Sequence, residues 1–272
     1  KISTTGLVSV QSVSDSFGHD FSTSWFEWNS NSQTHSGLTI GKSTNTKFID
    51  VPTTLTANGN LSIYGGSIAI SGSITATGGN ILLDADTGTG ITSGKDGIKV
   101  ADAVTIKTVT SGDITMIGRS SNGNTSNVYG YRDYNASAIT SAGAISITGI
   151  SNSTSTTGSR GITLAGTYQS DGDIVLLGQD DTRDDVVFSG ASITSANGAI
   201  DIDGGTANGG FYTYGTNVLT AKNDITINVD RMYLANNTID FNTDGQVYFL
   251  PKDGSTTIGN ALTFDTGITF DT

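Results

Sequence analysis

The sequence predicts an all-β fold, a parallel β-helix with about three short strands per coil. Three observations point there: a strand-opening phrase that recurs along the chain, a composition unsuited to helices, and short alternating segments between the recurrences. The phrase is Gly-x-Ile-x-Ile/Leu, seen as "GNILLDA" at Gly79, "GDITMIG" at Gly112, "GAISITG" at Gly143, "GDIVLLG" at Gly172 and "GAIDIDG" at Gly198, with "NDITINV" from Asn223 as a sixth copy. Successive starts are 33, 31, 29, 26 and 25 residues apart. A bounded but irregular period is the mark of a solenoid whose insertions fall at corners.

Composition agrees. The 36 Gly in 272 residues are nearly twice the usual share of about 7%. The acids are 24 Asp and a single Glu, Glu27, and Asp favours turns and caps where Glu favours helices. Pro occurs only at Pro52 and Pro251, and most apolar residues alternate with polar ones, the period of a half-buried strand.

Each interval between copies holds two further strand-like pieces. After Gly112 come "NVYGY" and "ASAITS", after Gly172 "DVVFSG" and "ASITSA", and after Gly198 "FYTYG" and "NVLTA". The near-duplicates "SAITSAGAISITG" (137–149) and "SITSANGAIDIDGG" (192–205) then read as third strand, tight corner and first strand of the next coil. Stacked coils place equivalent inward side chains in columns. One column is Ile81, Ile114, Ile145, Ile174, Ile200 and Ile225, and a second is Leu83, Met116, Ile147, Leu176, Ile202 and Ile227. Thr115, Ser146, Asp201 and Thr226 face out, Leu82 and Val175 break the alternation, and corner Gly supplies positive φ. An antiparallel sandwich or barrel is the competing architecture, but it has no reason to repeat a corner.

The division of the chain follows. Residues 1–36 read as an N-terminal strand plus an irregular insertion, "SDSFGHDFSTSWFEWNSNSQTH", and residues 37–272 as solenoid. The run "LTFDTGITFDT" (262–272) still alternates strand and corner, and "TTGLVSVQSV" near the start is strand-like. Both ends are therefore expected to join further coils, in the same polypeptide or end to end with a neighbouring subunit.

Charge and composition also narrow the partners. A formal net charge of −12 with 13 scattered Lys and Arg argues against nucleic acid and anionic lipid. Cys is absent, so disulfide scaffolds are excluded. No apolar run is long enough for a transmembrane segment, and "KISTTGLVSV" lacks a signal-peptide pattern.

The runs "LTIGKSTNT" and "LSIYGGSIAISGSITATGGNILLDA" with the repeated "ITSAGAISITG" phrases resemble the shaft repeats of filamentous haemagglutinin-like bacterial surface adhesins. The resemblance covers most of residues 37–259. It implies a right-handed β-helix and a non-catalytic structural shaft of a secreted adhesin or of a cell-surface or biofilm filament. It places the chain extracellularly, on the bacterial cell surface, facing host-cell, matrix or glycan surfaces. The NPNL-type signature of that family's secretion domain has no counterpart here. That points to an internal shaft segment or another export route.

Motifs that imitate chemistry are weak. "SGLTIGKST" (36–44) has Ser36 where a phosphate-binding loop needs Gly, with no helix after it, and "GTGITSG" (88–94) has the wrong spacing for a dinucleotide fingerprint. The histidines, His19 and His35, sit in the irregular segment, and without Cys no strong zinc site is offered. No GxSxG elbow supports a nucleophilic triad. No cofactor is expected apart from calcium. "DFNTDG" (240–245) offers Asp240, Asn242 and Asp244 in the opening pattern of an EF-hand loop, but Pro251 stands where the bidentate Glu belongs. "GQDDTRDDV" (178–186) reads as a solvated corner or a weak cation site.

Two alternatives to the shaft remain. A carbohydrate-binding tailspike-like or adhesive tip protein would use Trp25 and Trp28 in "SWFEWNS", where flat rings could stack on sugars. A β-helical polysaccharide lyase or hydrolase would draw on Asp171, Asp173, Asp180 and Asp181 with Arg160 and Arg183. The middle-strand aromatics Tyr129, Tyr131, Tyr134, Phe211, Tyr212 and Tyr214 read as stacking or wall packing.

Overall fold

A computed structural model describes residues 4–28, 35–85, 94–121, 126–154, 158–180, 184–205, 210–234, 238–251 and 262–263. They build three sheets of ten, ten and eight strands, which form the three walls of a single solenoid. One coil is Ile145–Ser151 on the first wall, Arg160–Leu164 on the second and Thr167–Ser170 on the third; the next is Ile174–Asp180, Asp184–Ser189 and Ser192–Ser195. These coils pair in parallel on all three walls. Parallel pairing needs a long crossover between partners, and here the other two walls supply it. Among the described residues every strand pairing is parallel, as in a solenoid and unlike an antiparallel sandwich or barrel.

The inward columns are those the repeat phrase predicts. Ile81 pairs with Ile114, Ile114 with Ile145, Ile145 with Ile174, Ile174 with Ile200 and Ile200 with Ile225. All six are fully buried. The column runs on through Leu61 and Leu38 on one side and Val247 on the other. Leu82 and Val175 lie on the outer face as expected, and Val175 is 39% exposed.

Corner chemistry explains why a Ser recurs two or three residues ahead of the corner Gly. Ser141, Ser170 and Ser195 close successive third-wall strands in register. Each hydroxyl donates to a corner Gly carbonyl one coil back: Ser141 to Gly112 at 3.0 Å, Ser170 to Gly143 at 2.5 Å and Ser195 to Gly172 at 2.7 Å. Each also accepts from its own corner, from the N–H of Gly143, Gly172 and Gly198. One hydroxyl thus holds two coils.

A second ladder stands one step further along the corner. Asn60 accepts from the Asn80 N–H, Asn80 from Asp113, Asp113 from Ala144, Asp173 from Ala199 and Asp224 from Gln246. The corner glycines need a correction. Of Gly79, Gly112, Gly143, Gly172 and Gly198, only Gly112 has positive φ. Gly143 is required by close approach instead, since a Cβ there would collide with Asp113 Oδ1.

Residues ahead of Gly37 already belong to the walls. Leu7–Val10 pairs with Gly37–Ile40, and Phe21–Ser22 pairs with Phe48–Val51. Of the closing run, only Leu262 and Thr263 lie within the described residues, paired with Met232 and Tyr233.

Candidate functional site

The tryptophans sit at the first coil. After Phe21–Ser22 the chain makes a 3-10 turn, Thr23–Trp25, capped by the Ser22 hydroxyl. Phe17 stacks on Phe21 at 5.0 Å, Trp25 meets Phe21 edge-on at 5.4 Å, and Trp28 packs against Phe26 at 5.5 Å. Phe17, Phe26 and Trp28 lean on the apolar core, and Trp28 Nε1 donates to Thr23 O at 2.5 Å. Trp25, 64% exposed, is the ring this cluster presents to solvent.

Asp240 and Asn242 stand on the outer face of a third-wall strand, Ile239–Thr243, rather than in a loop. Asp244 follows at the corner and is ion-paired with Lys222. That hydrogen bond and charge hold the Asp244 carboxyl below its ordinary range and push the Lys222 ammonium up.

Among the described residues, the acidic group considered for catalysis divides between two corners of the coil. Asp173 caps Ala199 at the corner, Asp171 is exposed beside it, and Asp180 is buried at the first-wall strand end, its N–H donating to Asp185 at 2.6 Å. Asp181 and Arg183 lie outside the described residues. His35 is buried against Thr4 O, and His19 is exposed. Among the described residues, no group of three or more His, Cys, Asp or Glu could hold a metal ion. Among them, no helix is long and apolar enough to cross a membrane.

Two open hollows lie on the surface of the coils. One is lined by Gln11, Thr39, Lys42 and Tyr64, the other by Thr140, Gln169, Asp171 and Thr194. In the first, the Lys42 ammonium already donates to Ser14 O at 2.9 Å.

Two features escape the sequence reading. The first is a buried polar chain at the corner between the second and third walls. The Tyr131 and Tyr168 hydroxyls lie 3.0 Å apart inside the core, and Tyr168 donates to Asp133 at 2.8 Å. Asp133 also accepts from Ser137 and from the N–H of Ala165 and Gly166. Burial outweighs these bonds and raises the Asp133 carboxyl pKa, and burial beside it pushes both phenols well up.

The second is a stripe of cations and rings on the second wall. Lys95 lies over Phe48 at 4.7 Å, Lys99 over Tyr134 at 5.6 Å, and Arg132 between Tyr129 at 4.7 Å and Tyr134 at 5.5 Å. Further along, Arg160 approaches Tyr214, and Tyr212 packs on Tyr233 at 5.5 Å. Arg132 is ion-paired at 2.7 Å with Asp96, a carboxylate raised by burial and countered by Arg132 and Lys99. No sequence motif groups these residues; the register Lys99 to Arg132 and Tyr212 to Tyr233 puts each pair on adjacent rungs.

The fold defines the class as a parallel β-solenoid. No family model, curated protein or solved structure matches the chain.

Proposed function

We propose that the chain is a structural shaft of a secreted bacterial adhesin or cell-surface filament, working outside the cell without catalysis. What supports this most is the use made of the corner polar groups. Asp113, Asp173 and Asp224, the residues best placed to offer chemistry at regular intervals, each spend an oxygen on the backbone of the next coil. A first wall that keeps register through ten rungs is suited to spanning distance.

The test is display of the chain on a non-adherent bacterium. Adherence to host cells, matrix or glycan, with no release of reducing or unsaturated ends from polysaccharides, is the expected result. Polysaccharide turnover that is lost on Asp173→Asn would overturn the shaft in favour of a lyase or hydrolase.

A second reading, a carbohydrate-binding tip or tailspike-like protein, rests on the exposed Trp25. It gains if Trp25→Ala abolishes adherence while thermal unfolding is unchanged.

A further inference from the structure

Two long corner loops meet at the first wall. Residues 11–20 join Leu7–Val10 to Phe21–Ser22, and residues 41–47 join Gly37–Ile40 to Phe48–Val51, whereas one coil later Gly65 and Gly66 suffice. The long loops are tied together. Lys42 donates to Ser14 O at 2.9 Å, Thr44 to Asp15 O at 2.6 Å, and the Ser16 hydroxyl to Asn45 Oδ1 at 2.9 Å. Asn45 is buried, and its Nδ2 donates to Tyr64 O at 2.9 Å, so one amide fixes both loops and the end of the next strand. Beside them lies an open hollow of about 470 Å³, lined by Gln11, Thr39, Lys42, Ser43, Thr44 and Tyr64. The register explains the gap. One step past the rungs Val10, Ile40 and Ile63 come Gln11, Gly41 and Tyr64, so the middle rung has no side chain. Gly41 stands at φ +78°, and a Cβ there would strike the Tyr64 carbonyl oxygen.

We infer that this hollow binds one neutral pyranose unit of a glycan. Its size falls within the range of about 300–1,000 Å³ usual for small-molecule sites. Its lining matches a sugar in kind. The Gln11 amide and the Thr39 and Ser43 hydroxyls make no hydrogen bond among the described residues, and each can both donate and accept, as sugar hydroxyls do. Thr44 has given its proton to Asp15 O and keeps its lone pairs, while Lys42 has N–H groups left after its bond to Ser14 O. The half-buried Tyr64 ring supplies a flat apolar surface for the C–H face of the pyranose.

Other ligand classes fit less well. A phosphate or carboxylate would meet one cation, Lys42, already bonded to a carbonyl, with the exposed Asp15 on the same loop. An apolar guest would strip water from the amide, ammonium and hydroxyls without replacing those bonds. The loops are held before any ligand arrives, which lowers the ordering cost of binding. The site is separate from Trp25, which follows a second-wall strand. It holds whether the chain is a shaft or a tip, and its readout is binding in solution rather than adherence.

The test is saturation-transfer NMR of the whole chain with the methyl pyranosides of galactose, glucose, mannose and N-acetylglucosamine at millimolar concentration, beside glucuronate and inorganic phosphate. Transfer to at least one neutral pyranoside is expected, strongest at the C–H protons of one ring face. Tyr64→Ala should weaken that binding roughly tenfold, Tyr64→Phe should keep most of it, and Gln11→Ala should weaken it several-fold. Trp25→Ala should leave it unchanged. Circular dichroism checks that Tyr64→Ala still folds, and Gln11→Ala, at an exposed loop position, gives an independent readout if it does not. No transfer to any neutral pyranoside, tighter binding of glucuronate or phosphate, or binding indifferent to both Tyr64→Ala and Gln11→Ala would each overturn the inference. Binding lost in Trp25→Ala instead would move the sugar site to the first-coil aromatic cluster.

Discussion

The Ser170 hydroxyl donates to the Gly143 carbonyl oxygen of the preceding coil at 2.5 Å and accepts from the Gly172 N–H of its own corner at 3.1 Å. The same side chain therefore closes one corner and ties it to its neighbour. Ser141 and Ser195 repeat the arrangement above and below.

Ser170→Ala should therefore destabilise by about 1 kcal/mol. The loss stays modest because Gly143 O also accepts from the Gly172 N–H at 2.8 Å. Thr194→Ala, on the outer face of the neighbouring third-wall strand, should change stability by less than about 0.5 kcal/mol. Denaturant midpoints of the two variants check the difference, and equal midpoints would remove the corner role from Ser170.

Ile174 lies between Ile145 and Ile200 with no exposed surface, while its neighbour Val175 faces solvent. Ile174→Asp should cost several kcal/mol, about the penalty for an unpaired charge in an apolar column. Val175→Thr should be close to neutral. Thermal unfolding that responds to both alike would contradict the register.

The columns were legible because Gly-x-Ile-x-Ile repeats in one dimension, and the coil only folds that line onto itself. Even the breaks in pattern at Leu82 and Val175 carried through to the outer face. The corner glycines were legible as corners but not as contacts, since collision of a Gly143 Cβ with Asp113 depends on the coil beneath. The Tyr131, Tyr168 and Asp133 chain was hidden for the same reason. Its members are 37 and 35 residues apart, and only coil length decides that they meet. The second-wall stripe was hidden too, because its residues share no motif and come together through register alone.

Calcium should not stabilise the chain through Asp240, Asn242 and Asp244. The first two are separated along an extended strand by roughly 6.6 Å, and Asp244 is engaged by Lys222. A ligand that binds only the folded state raises stability by mass action, so unfolding temperatures in millimolar calcium and in chelator should coincide. A rise with calcium that disappears in Asp240→Asn would establish the site.

Acid should stabilise the fold through two buried aspartates. Asp133 and Asp96 both have carboxyl pKa values raised above the ordinary 3.8, chiefly because burial penalises the charged form. Between the unfolded and folded pKa values the native state holds more protons than the unfolded chain, so stability falls as pH rises through that window. The contribution is fully present below 3.8 and lost once pH passes the folded-state values. Protonating Asp133 is structurally permitted, because the Tyr168 or Ser137 hydroxyl can turn from donor to acceptor. Denaturant midpoints should thus rise as pH is lowered from neutral toward about 4. In Asp133→Asn, which has no proton to gain at that site, the rise should be smaller. A pH slope identical in the parent and Asp133→Asn would show that Asp133 titrates alike in the folded and unfolded chain. A steeper slope in the variant would reverse the sign of its contribution.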